Sequence, residues 1–357
     1  MGWLARAAAL PGPLRLAATL AIALGAALAA QGLQVPLPWM IGPLLVSAAL
    51  SIYGVPLVFS PVLRNAGQWS IGTALGLYFT PAVFGAMLTL SWALAAGVLW
   101  ALLLGYGFYR FLWWRHGHEA GLHPGSAFFA AAIGGASEMA LMAERNGAQV
   151  DRVAAAHSLR VLLVVVVIPF VFQFSGLHGL DPTPPAVHAV HGPGLAALTL
   201  LTLAGGFAMR ALDLPSPFVL GALAVAMALT GLGVDLSAVP RAVTNAGQLF
   251  IGVALGTRFT PAFARSGPRW LLSVSAGSLL MMALSGGFAA LLALAAGLHP
   301  ATVALGTSPG GIAEMCITAK VLGLGVPLVT AFHVVRYVAV LLLTGPLYRR
   351  ETARLAR

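Results

Sequence analysis

Charged side chains are scarce in this sequence. Only 8% of its 357 residues are Asp, Glu, Lys or Arg, whereas a soluble globular domain carries about 25%. Hydrophobic residues make up 59% of the chain, and the mean hydropathy is +0.93. So few charges cannot cover a water-facing surface, which excludes a soluble globular protein. The composition indicates a polytopic membrane protein whose main partner is the lipid bilayer.

Cysteine and lysine are rarer still. Cys316 is the single cysteine, which excludes an intramolecular disulfide and a cysteine-rich metal site. Lys320 is the single lysine among 19 basic residues, which stand against 9 acidic ones. The arginines are scattered through short loops between apolar stretches and never form a run of five. This spacing argues against direct binding of nucleic acid and is typical of the positive-inside distribution of membrane proteins.

The sequence contains an internal duplication. Residues 65–81 (NAGQWSIGTALGLYFTP) and 245–261 (NAGQLFIGVALGTRFTP) share twelve of seventeen positions at an offset of 180. Shorter matches, such as Leu-His-Pro at 122–124 and 298–300, keep the same order in both halves. We divide the chain into three parts, which are a first membrane repeat at 1–176, an extramembrane linker at 177–192 and a second membrane repeat at 193–357.

The apolar stretch at 16–30 is either a cleaved secretory signal or a retained first helix, because the small residues at its end (ALAAQ) resemble a signal cleavage site. The second repeat has a helix candidate at 194–209 in the corresponding place, which favours a retained helix. Each repeat then shows six apolar segments. They lie near 14–32, 37–53, 62–80, 82–109, 124–145 and 153–175 in the first repeat, and near 194–210, 216–233, 242–260, 270–297, 300–320 and 327–347 in the second.

The fifth segment of each repeat is interrupted by a Gly-Gly pair, and a glutamate follows three residues later. The pairs are Gly134-Gly135 and Gly310-Gly311. If these segments nevertheless cross the membrane, the repeats are parallel, and ten basic residues face the inside against seven outside. If the segments are re-entrant, the repeats are inverted, and fifteen basic residues face the inside with only Arg241 and Lys320 outside. The positive-inside rule favours the inverted arrangement, with a broken but fully crossing fifth segment as the alternative.

The predicted fold is an all-α polytopic membrane protein. It has two inverted repeats of about five transmembrane helices, each with one Gly-Gly re-entrant hairpin. The linker lies outside, and both termini lie in the cytoplasm, as in a multi-pass protein of the bacterial inner membrane. Inverted repeats with paired broken segments are typical of secondary transporters, and free backbone groups at the two hairpin tips can bind a solute or an ion.

Glu138 and Glu314 are the first candidates for chemistry. A carboxylate in an apolar, glycine-broken segment is costly and usually functional. Desolvation favours the protonated form of such a group, which suits a proton carrier. The alternative is a buried ion pair with Arg160 or Arg336 that only fixes helix packing.

Two His-x-x-Arg pairs lie in the sixth segments. They are His157 with Arg160, and His333 with Arg336. The i, i+3 spacing puts both side chains of a pair on one helix face. Such an arginine faces protein or water, where it either holds an anionic substrate by bidentate hydrogen bonds or neutralises the glutamates.

Amide and hydroxyl side chains complete the candidate binding residues. Each third segment has an amide pair at i, i+3 that can coordinate a substrate or bond helix to helix. These four residues are Asn65, Gln68, Asn245 and Gln248. In the second hairpin, Thr307 and Ser308 replace Ala131 and Ala132 of the first, so the second hairpin is the more polar one.

The third segments also contain GxxxG spacings, at Gly72 and Gly76 and at Gly252 and Gly256. Small residues at this spacing let two helix backbones approach closely. We therefore predict that these glycines mark tight helix packing rather than a binding site.

No motif in the sequence predicts an enzyme. Of the nine histidines, His178, His188 and His191 lie in the linker, and no two histidines form a helical ligand pair with a nearby carboxylate. This argues against zinc or copper. Neither a phosphate-binding loop nor a Ser-His-Asp arrangement occurs. We predict no catalytic residue, no metal and no cofactor.

The duplicated NAGQ-x-x-IG-x-ALG-x-x-FTP block, the Gly-Gly-x-x-Glu-Met hairpins and the His-x-x-Arg segments resemble the bacterial membrane "AbrB duplication" family. The resemblance covers nearly the whole chain. Members of this family are also labelled AbrB-family transcriptional regulators or ammonia monooxygenases. A monooxygenase needs a metal or organic cofactor, and a DNA-binding regulator needs a soluble basic module; we find residues for neither. The layout also resembles elevator-type carboxylate symporters, at the level of fold alone.

We expect an inner-membrane, permease-like secondary transporter of a small solute, coupled to H⁺ or Na⁺. The alternative is a membrane protein that takes part in the regulation of gene expression, and a monooxygenase ranks third. The residues are compatible with a homo-oligomer but do not specify one, and they leave the substrate and the direction of transport open.

Overall fold

The computed structural model describes residues 11–119, 121–176, 179, 185, 189–261, 263 and 267–355. His178, His188 and most of the predicted linker lie outside them. Within the described residues the regular secondary structure is helical, with no strand. The helices, in chain order, are α1 Gly12–Gly32, α2 Pro38–Ile52, α3 Pro61–Gly76, α4 Pro81–Thr89, α5 Ser91–His116, α6 Pro124–Ala131, α7 Ala136–Arg145, α8 Val150–Ser175, α9 Gly192–Ala211, α10 Pro217–Gly231, α11 Arg241–Gly256, α12 Pro268–Ala296, α13 Pro300–Thr307, α14 Ile312–Val321 and α15 Val326–Leu355.

Six of these helices are long and apolar enough to cross a membrane, namely α1, α5, α8, α9, α12 and α15. The pair α3 and α4 passes the same test together but is bent by 85° at its break, which gives up to seven spans. Helices α2 and α10 are apolar but have only 15 residues each, whereas a helix needs about 20 to span the hydrocarbon core. The chain is therefore a multi-pass membrane protein.

One predicted apolar segment contains two helices. The fourth segment of the first repeat, 82–109, is divided into α4, which ends at Thr89, and α5, which begins at Ser91. The hydroxyl of Thr89 donates to the carbonyl of Ala86 at 2.8 Å. Hydroxyl side chains compete for backbone groups in this way and are therefore favoured at helix ends.

Proline fixes the first residue of several helices, because its ring presets φ and the first helical N–H needs no partner. Pro61 begins α3 after Ser60, whose hydroxyl oxygen accepts from the Val62 N–H at 3.2 Å. Pro124 begins α6 after His123, whose Nδ1 accepts from the Gly125 N–H at 3.1 Å. These caps supply partners for N–H groups that the helix itself cannot bond.

The same unusual turn precedes α2 and α10. Gln34 and Leu37 have φ of 55° and 51°, and their counterparts Asp213 and Ser216 have φ of 50° and 48°. Residues with side chains rarely adopt this left-handed conformation, which costs roughly 1–2 kcal/mol each. The duplication therefore extends to strained backbone positions that the sequence match alone does not reveal.

The described chain divides into two compact units, and each unit draws on both sequence repeats. The first unit comprises Met1–Thr89, Pro169–Pro261 and Cys316–Pro327. The second unit comprises Leu90–Ile168, Ala262–Met315 and Leu328–Arg357. Helices α1–α4 and α9–α11 thus belong to the first unit, whereas α5–α7, α12 and α13 belong to the second.

Glycines set the helix packing of the first unit, as predicted for the GxxxG spacings. In α3, Gly72 and Gly76 lie against the backbone of α10, where a Cβ would meet the carbonyl oxygens of Val219 and Leu223. In α11, the equivalent Gly252 and Gly256 lie against the backbone of α2, at the carbonyl oxygens of Met40 and Leu44. Helices α3 and α11 approach each other at Gly67 and Gly247, the glycines of the duplicated NAGQ blocks.

The second unit is built around aromatic contacts between the long helices of the two repeats. Trp100 of α5 stacks on Phe288 of α12, with ring centroids 4.6 Å apart. The ring of Phe108 fills the space beside Gly277 of α12. Helix α6 packs on α5, and α13 packs on α12. This core holds both broken segments.

Candidate functional site

The two predicted Gly-Gly breaks are present as interruptions of helix. Helix α6 ends at Ala131, and α7 begins at Ala136; helix α13 ends at Thr307, and α14 begins at Ile312. Ala132 and Ser308, which follow the first half-helices, have ψ of 133° and 149°, so the chain is extended there. The last carbonyl groups of α6 and α13 therefore lack helical partners and need others.

The two arginines bond carbonyl groups at the end of the first half-helix and in the breaks. The guanidinium of Arg160 donates to the carbonyl oxygens of Ala130 and Ala132, at 3.4 and 3.1 Å. Arg336 donates to the carbonyl oxygen of Ser308, which is the counterpart of Ala132, and to that of Gly310 at 2.6 Å. Both arginines are buried, and each positive charge lies where the carbonyl end of a half-helix carries partial negative charge.

The histidines orient the arginines. Nε2 of His157 lies 2.9 Å from the carbonyl oxygen of Phe129, and Nε2 of His333 lies 3.0 Å from that of Leu305. A carbonyl only accepts, so Nε2 carries the proton in both rings. Nδ1 is then free to accept from the arginine Nη2, at 2.8 Å in the first pair and 2.7 Å in the second. The i, i+3 pairs thus act as one unit that holds a broken helix in place.

The glutamates lie at the start of the second half-helices. Glu138 and Glu314 are the third residues of α7 and α14, in the position that typically reaches back to the helix N-terminus. Each carboxylate occupies the space beside the preceding Gly135 or Gly311 that a Cβ would fill. Their negative charge is favourable at this end of a helix. Glu314 is buried and Glu138 is half-buried.

Glu138 does not form an ion pair with Arg160 or Arg336, which was the alternative to a functional role for this glutamate. Among the described residues, no cation lies within salt-bridge distance of its carboxylate. Arg160 bonds backbone carbonyls instead. The positive and negative charges of the first break thus lie at opposite helix ends, each matched to a half-helix dipole.

Each break lies against the long sixth segment of the other repeat. A Cβ on Gly134 would lie 3.2 Å from Cγ1 of Val340 in α15. A Cβ on the equivalent Gly310 would lie 2.8 Å from Cγ1 of Val164 in α8. Both breaks are therefore part of one core and have equivalent neighbours in the other repeat.

The hydroxyl groups of the second break are bonded inward. The Thr307 hydroxyl donates to the carbonyl of Val303 at 2.9 Å, and that of Ser308 donates to Leu305 at 2.8 Å. Ser285 of α12 donates to the carbonyl of Thr307 at 3.3 Å. The second hairpin is the more polar one, but these hydroxyl protons stabilise its backbone.

The four predicted amide residues lie in the first unit and not with the breaks. They flank the close approach of α3 and α11 at Gly67 and Gly247. Three of the side chains are half-buried, and that of Gln248 is buried. No side-chain hydrogen bond joins any of the four to another described residue, so their predicted roles stay predictions. They are Asn65, Gln68, Asn245 and Gln248.

Within the described ranges, no group of three or more His, Cys, Asp or Glu residues is arranged to hold a metal ion. His191 directly precedes the first residue of α9, and its side chain makes no hydrogen bond to the start of that helix. The sequence missed a different polar cluster in the second unit, formed by His116, Glu119 and Arg152. Its only sequence signal is the i, i+3 spacing of His116 and Glu119 after a long apolar segment.

The fold and the paired breaks define a multi-pass, all-α membrane protein with a duplicated broken-helix core. The chain belongs to the family described as "Transition state regulatory protein AbrB", whose model matches residues 52–351. It is 27% identical to "Uncharacterized protein YhjN" of Bacillus subtilis (strain 168) over 339 residues, which cover 87% of this chain and 86% of the relative. It is 25% identical to "Putative regulator AbrB" of Escherichia coli (strain K12) over 326 residues, which cover 89% and 90%.

Proposed function

We propose that this protein is a permease-like secondary transporter of a small solute in the bacterial inner membrane. The observation that carries the proposal is the repeated core of the second unit, in which a broken helix, a His-Arg pair and a glutamate at the start of the second half-helix occur twice. Backbone that leaves helical form at membrane depth survives only where it is buried in protein or lines a cavity. Paired broken segments of this kind are typical of transporters.

We further propose that the repeats are inverted, with both termini in the cytoplasm and α6–α7 and α13–α14 as re-entrant hairpins. Helices α6 and α7 have 8 and 10 residues, which correspond to lengths of about 12 and 15 Å. Each arm therefore reaches about halfway through a hydrocarbon core of about 30 Å. The loop arginines favour this topology over the parallel one.

The topology is tested by labelling Val190→Cys in a Cys316→Ala background. Val190 belongs to the linker and is 52% exposed. A membrane-impermeant maleimide should label this cysteine in intact cells, whereas an Arg349→Cys control near the C-terminus should react only after lysis. Labelling of Val190→Cys only after lysis would make the repeats parallel and would overturn the hairpin topology.

The glutamates fit a role in coupling to H⁺ or Na⁺. A carboxylate that lies near its own helix N-terminus is stabilised by the helix dipole. Protonation or cation binding neutralises Glu138 or Glu314 and weakens this contact. The N–H groups of the break then become available to a solute. Binding of a proton or a cation to the carboxylate is thereby linked to exposure of the hairpin backbone.

Flux measurements in proteoliposomes test this mechanism. We would screen dicarboxylates, tricarboxylates and amino acids for uptake driven by a proton or sodium gradient. Glu138→Gln and Glu314→Gln keep the size and the acceptor oxygen of the side chain but cannot carry a proton, so gradient-driven flux should fall at least tenfold. Glu144→Gln, an exposed residue of α7, is the matched control. Full flux in a well-folded double Gln variant would contradict the coupling role.

The regulatory alternative is favoured by the name of the Escherichia coli relative, "Putative regulator AbrB". It predicts that a chromosomal deletion changes transcript levels and that a flux-deficient Glu314→Gln protein restores them. If only transport-competent variants restore the transcripts, any effect on gene expression follows from the transported solute. This comparison separates the two functions in one strain background.

A further inference from the structure

The second unit contains a lateral pocket of about 520 Å³ whose charged end plays no part in the proposed transport mechanism. It lies between α5, the end of α6 and α15, and its wall is mostly apolar. Leu99 and Leu103 of α5 line it and are 59% and 56% exposed. In a membrane-spanning helix such exposed leucines meet lipid chains, so the pocket opens toward hydrocarbon.

One end of this pocket is polar and carries excess positive charge. Glu351 is buried there and accepts from the Tyr109 hydroxyl at 3.3 Å. Arg110 and Arg354 lie 3.9 and 3.8 Å from its carboxylate oxygens. Arg350 also lines the pocket, is exposed, and forms no ion pair with a described carboxylate. Two arginines thus share a single acidic group, and a third arginine lines the same pocket without an acidic partner among the described residues.

We infer that this pocket binds one anionic phospholipid of the surrounding bilayer, with its phosphate at Arg350 and Arg354 and one acyl chain along the apolar wall. Arginine pairs well with phosphate oxygens because its N–H groups are arranged as a fork. From Val340 to Arg350, α15 rises about 15 Å. This matches one leaflet of a hydrocarbon core about 30 Å thick, so headgroup and chain fit the pocket together. The inference does not depend on transport.

The bound chain would contact the first break. Ala132 and Ile133 line the pocket directly, and Val340, which also lines it, lies against Gly134. An acyl chain at this position covers extended backbone that would otherwise face a cavity. The lipid would therefore stabilise the first hairpin and not the second.

Native mass spectrometry of the full-length protein in non-ionic detergent tests the site. We would add dioleoyl phosphatidylglycerol or dioleoyl phosphatidylcholine and measure the fraction of protein that carries one lipid. The anionic lipid should bind more tightly, and sn-glycerol 3-phosphate, a headgroup without chains, should not compete. Arg350→Gln/Arg354→Gln should weaken phosphatidylglycerol binding about 30-fold, from two lost phosphate contacts.

Two further variants distinguish the effect of nearby positive charge from the effect of the space in the pocket. Arg349→Gln removes a neighbouring exposed arginine that does not line the pocket, so it should leave binding unchanged. Gly105→Leu projects into the pocket from a position where a Cβ has only ordinary contacts, and it should weaken binding of both lipids. All variants are first checked for helix content and for a single gel-filtration peak.

Three results would overturn the inference. If phosphatidylglycerol and phosphatidylcholine bind equally well, the pocket does not select an anionic headgroup. An equal loss with Arg349→Gln would show only general attraction to positive charge. If lipid adducts occur on the monomer but are absent from a dimer, a second copy of the chain covers the pocket instead.

Discussion

Nδ1 of His333 lies 2.7 Å from Nη2 of Arg336. Because the opposite ring nitrogen donates to the carbonyl of Leu305, the imidazole is neutral in this arrangement and acts as an acceptor for the guanidinium. The guanidinium in turn bonds two carbonyl groups of the second break. A charge that looks available for an anionic substrate is thus already engaged with the backbone, and its counterpart at Arg160 repeats the pattern.

We predict that Arg336→Lys destabilises the protein by about 2 kcal/mol or more, because an ammonium cannot bond both carbonyls and the histidine in the same planar geometry. The expected drop in the thermal midpoint is several degrees, measured on purified protein in detergent. Arg349→Lys, an exposed change in the same helix, should have no effect. An unchanged midpoint for Arg336→Lys would show that the carbonyl contacts do not support the fold.

The sequence predicted the break, the pairing of His with Arg and the position of the glutamate, because each leaves a local signal. Glycine pairs interrupt helices, and i, i+3 residues share a face. It did not predict the partner of the arginine. Side-chain patterns suggest an ion pair with Glu138, whereas the unpaired carbonyl groups at the end of α6 come from the backbone and have no signature in residue types.

A second prediction concerns Gly311 and Glu314. Gly311→Ala places a Cβ where the carboxylate now lies, and overpacking of this kind costs roughly 1–3 kcal/mol. In a Glu314→Ala background the obstruction is gone, so the same glycine change should cost much less. Wild type, the two single variants and the double variant form a double-mutant cycle, and unfolding of these four proteins measures the difference. Gly286→Ala, at an open position of α12, is the control and should be neutral or stabilising.

If the two changes prove additive, the carboxylate does not lie against Gly311 and the capping role of Glu314 is wrong. The cycle is informative because it asks only whether the two effects depend on each other. A general weakness of the hairpin would lower both stabilities without producing such a coupling.

The duplication gives a third prediction. Gly72→Leu and Gly252→Leu both force side chains into the backbone of a neighbouring helix, so both should destabilise the first unit strongly and to a similar extent. Gly25→Leu in α1 faces open space and should be tolerated. Expression level and thermal midpoint in detergent are the readouts. A tolerated Gly72→Leu would mean that α3 and α10 do not pack as tightly as the structure shows.

Two features of the fold were beyond sequence reasoning for a physical reason. At the end of α4 the hydroxyl of Thr89 bonds a backbone carbonyl, but threonine does the same inside many helices and so does not mark the end in the sequence. The left-handed turns at Leu37 and Ser216 occur at residues without a preference for positive φ. Both depend on tertiary packing, which imposes a conformation that the local residues do not choose.

The last prediction uses the polar cluster after α5. His116 lies 2.5 Å from one carboxylate oxygen of Glu119, and Arg152 donates to the other at 3.0 Å. Nε2 of His116 is bonded to Ser273 of α12 at 2.9 Å, and the ring of Trp270 lies beneath the Arg152 guanidinium. The cluster therefore ties the end of α5 to α8 and α12. The hydrogen bond from His116, with that from Arg152, holds the pKa of Glu119 below its usual value of 4.5.

A depressed carboxyl pKa stabilises the folded state above the unfolded pKa, and this stabilisation is lost as the pH falls through the folded value. Wild type should therefore exceed Glu119→Gln in thermal midpoint at pH 6–7, and the two curves should converge as the pH falls below about 4.5. Glu144→Gln, an exposed change in α7, should follow wild type throughout. A constant gap between wild type and Glu119→Gln at every pH would mean that the variant loses packing rather than a charge-dependent bond, because only the ionised carboxylate gains from its two donors.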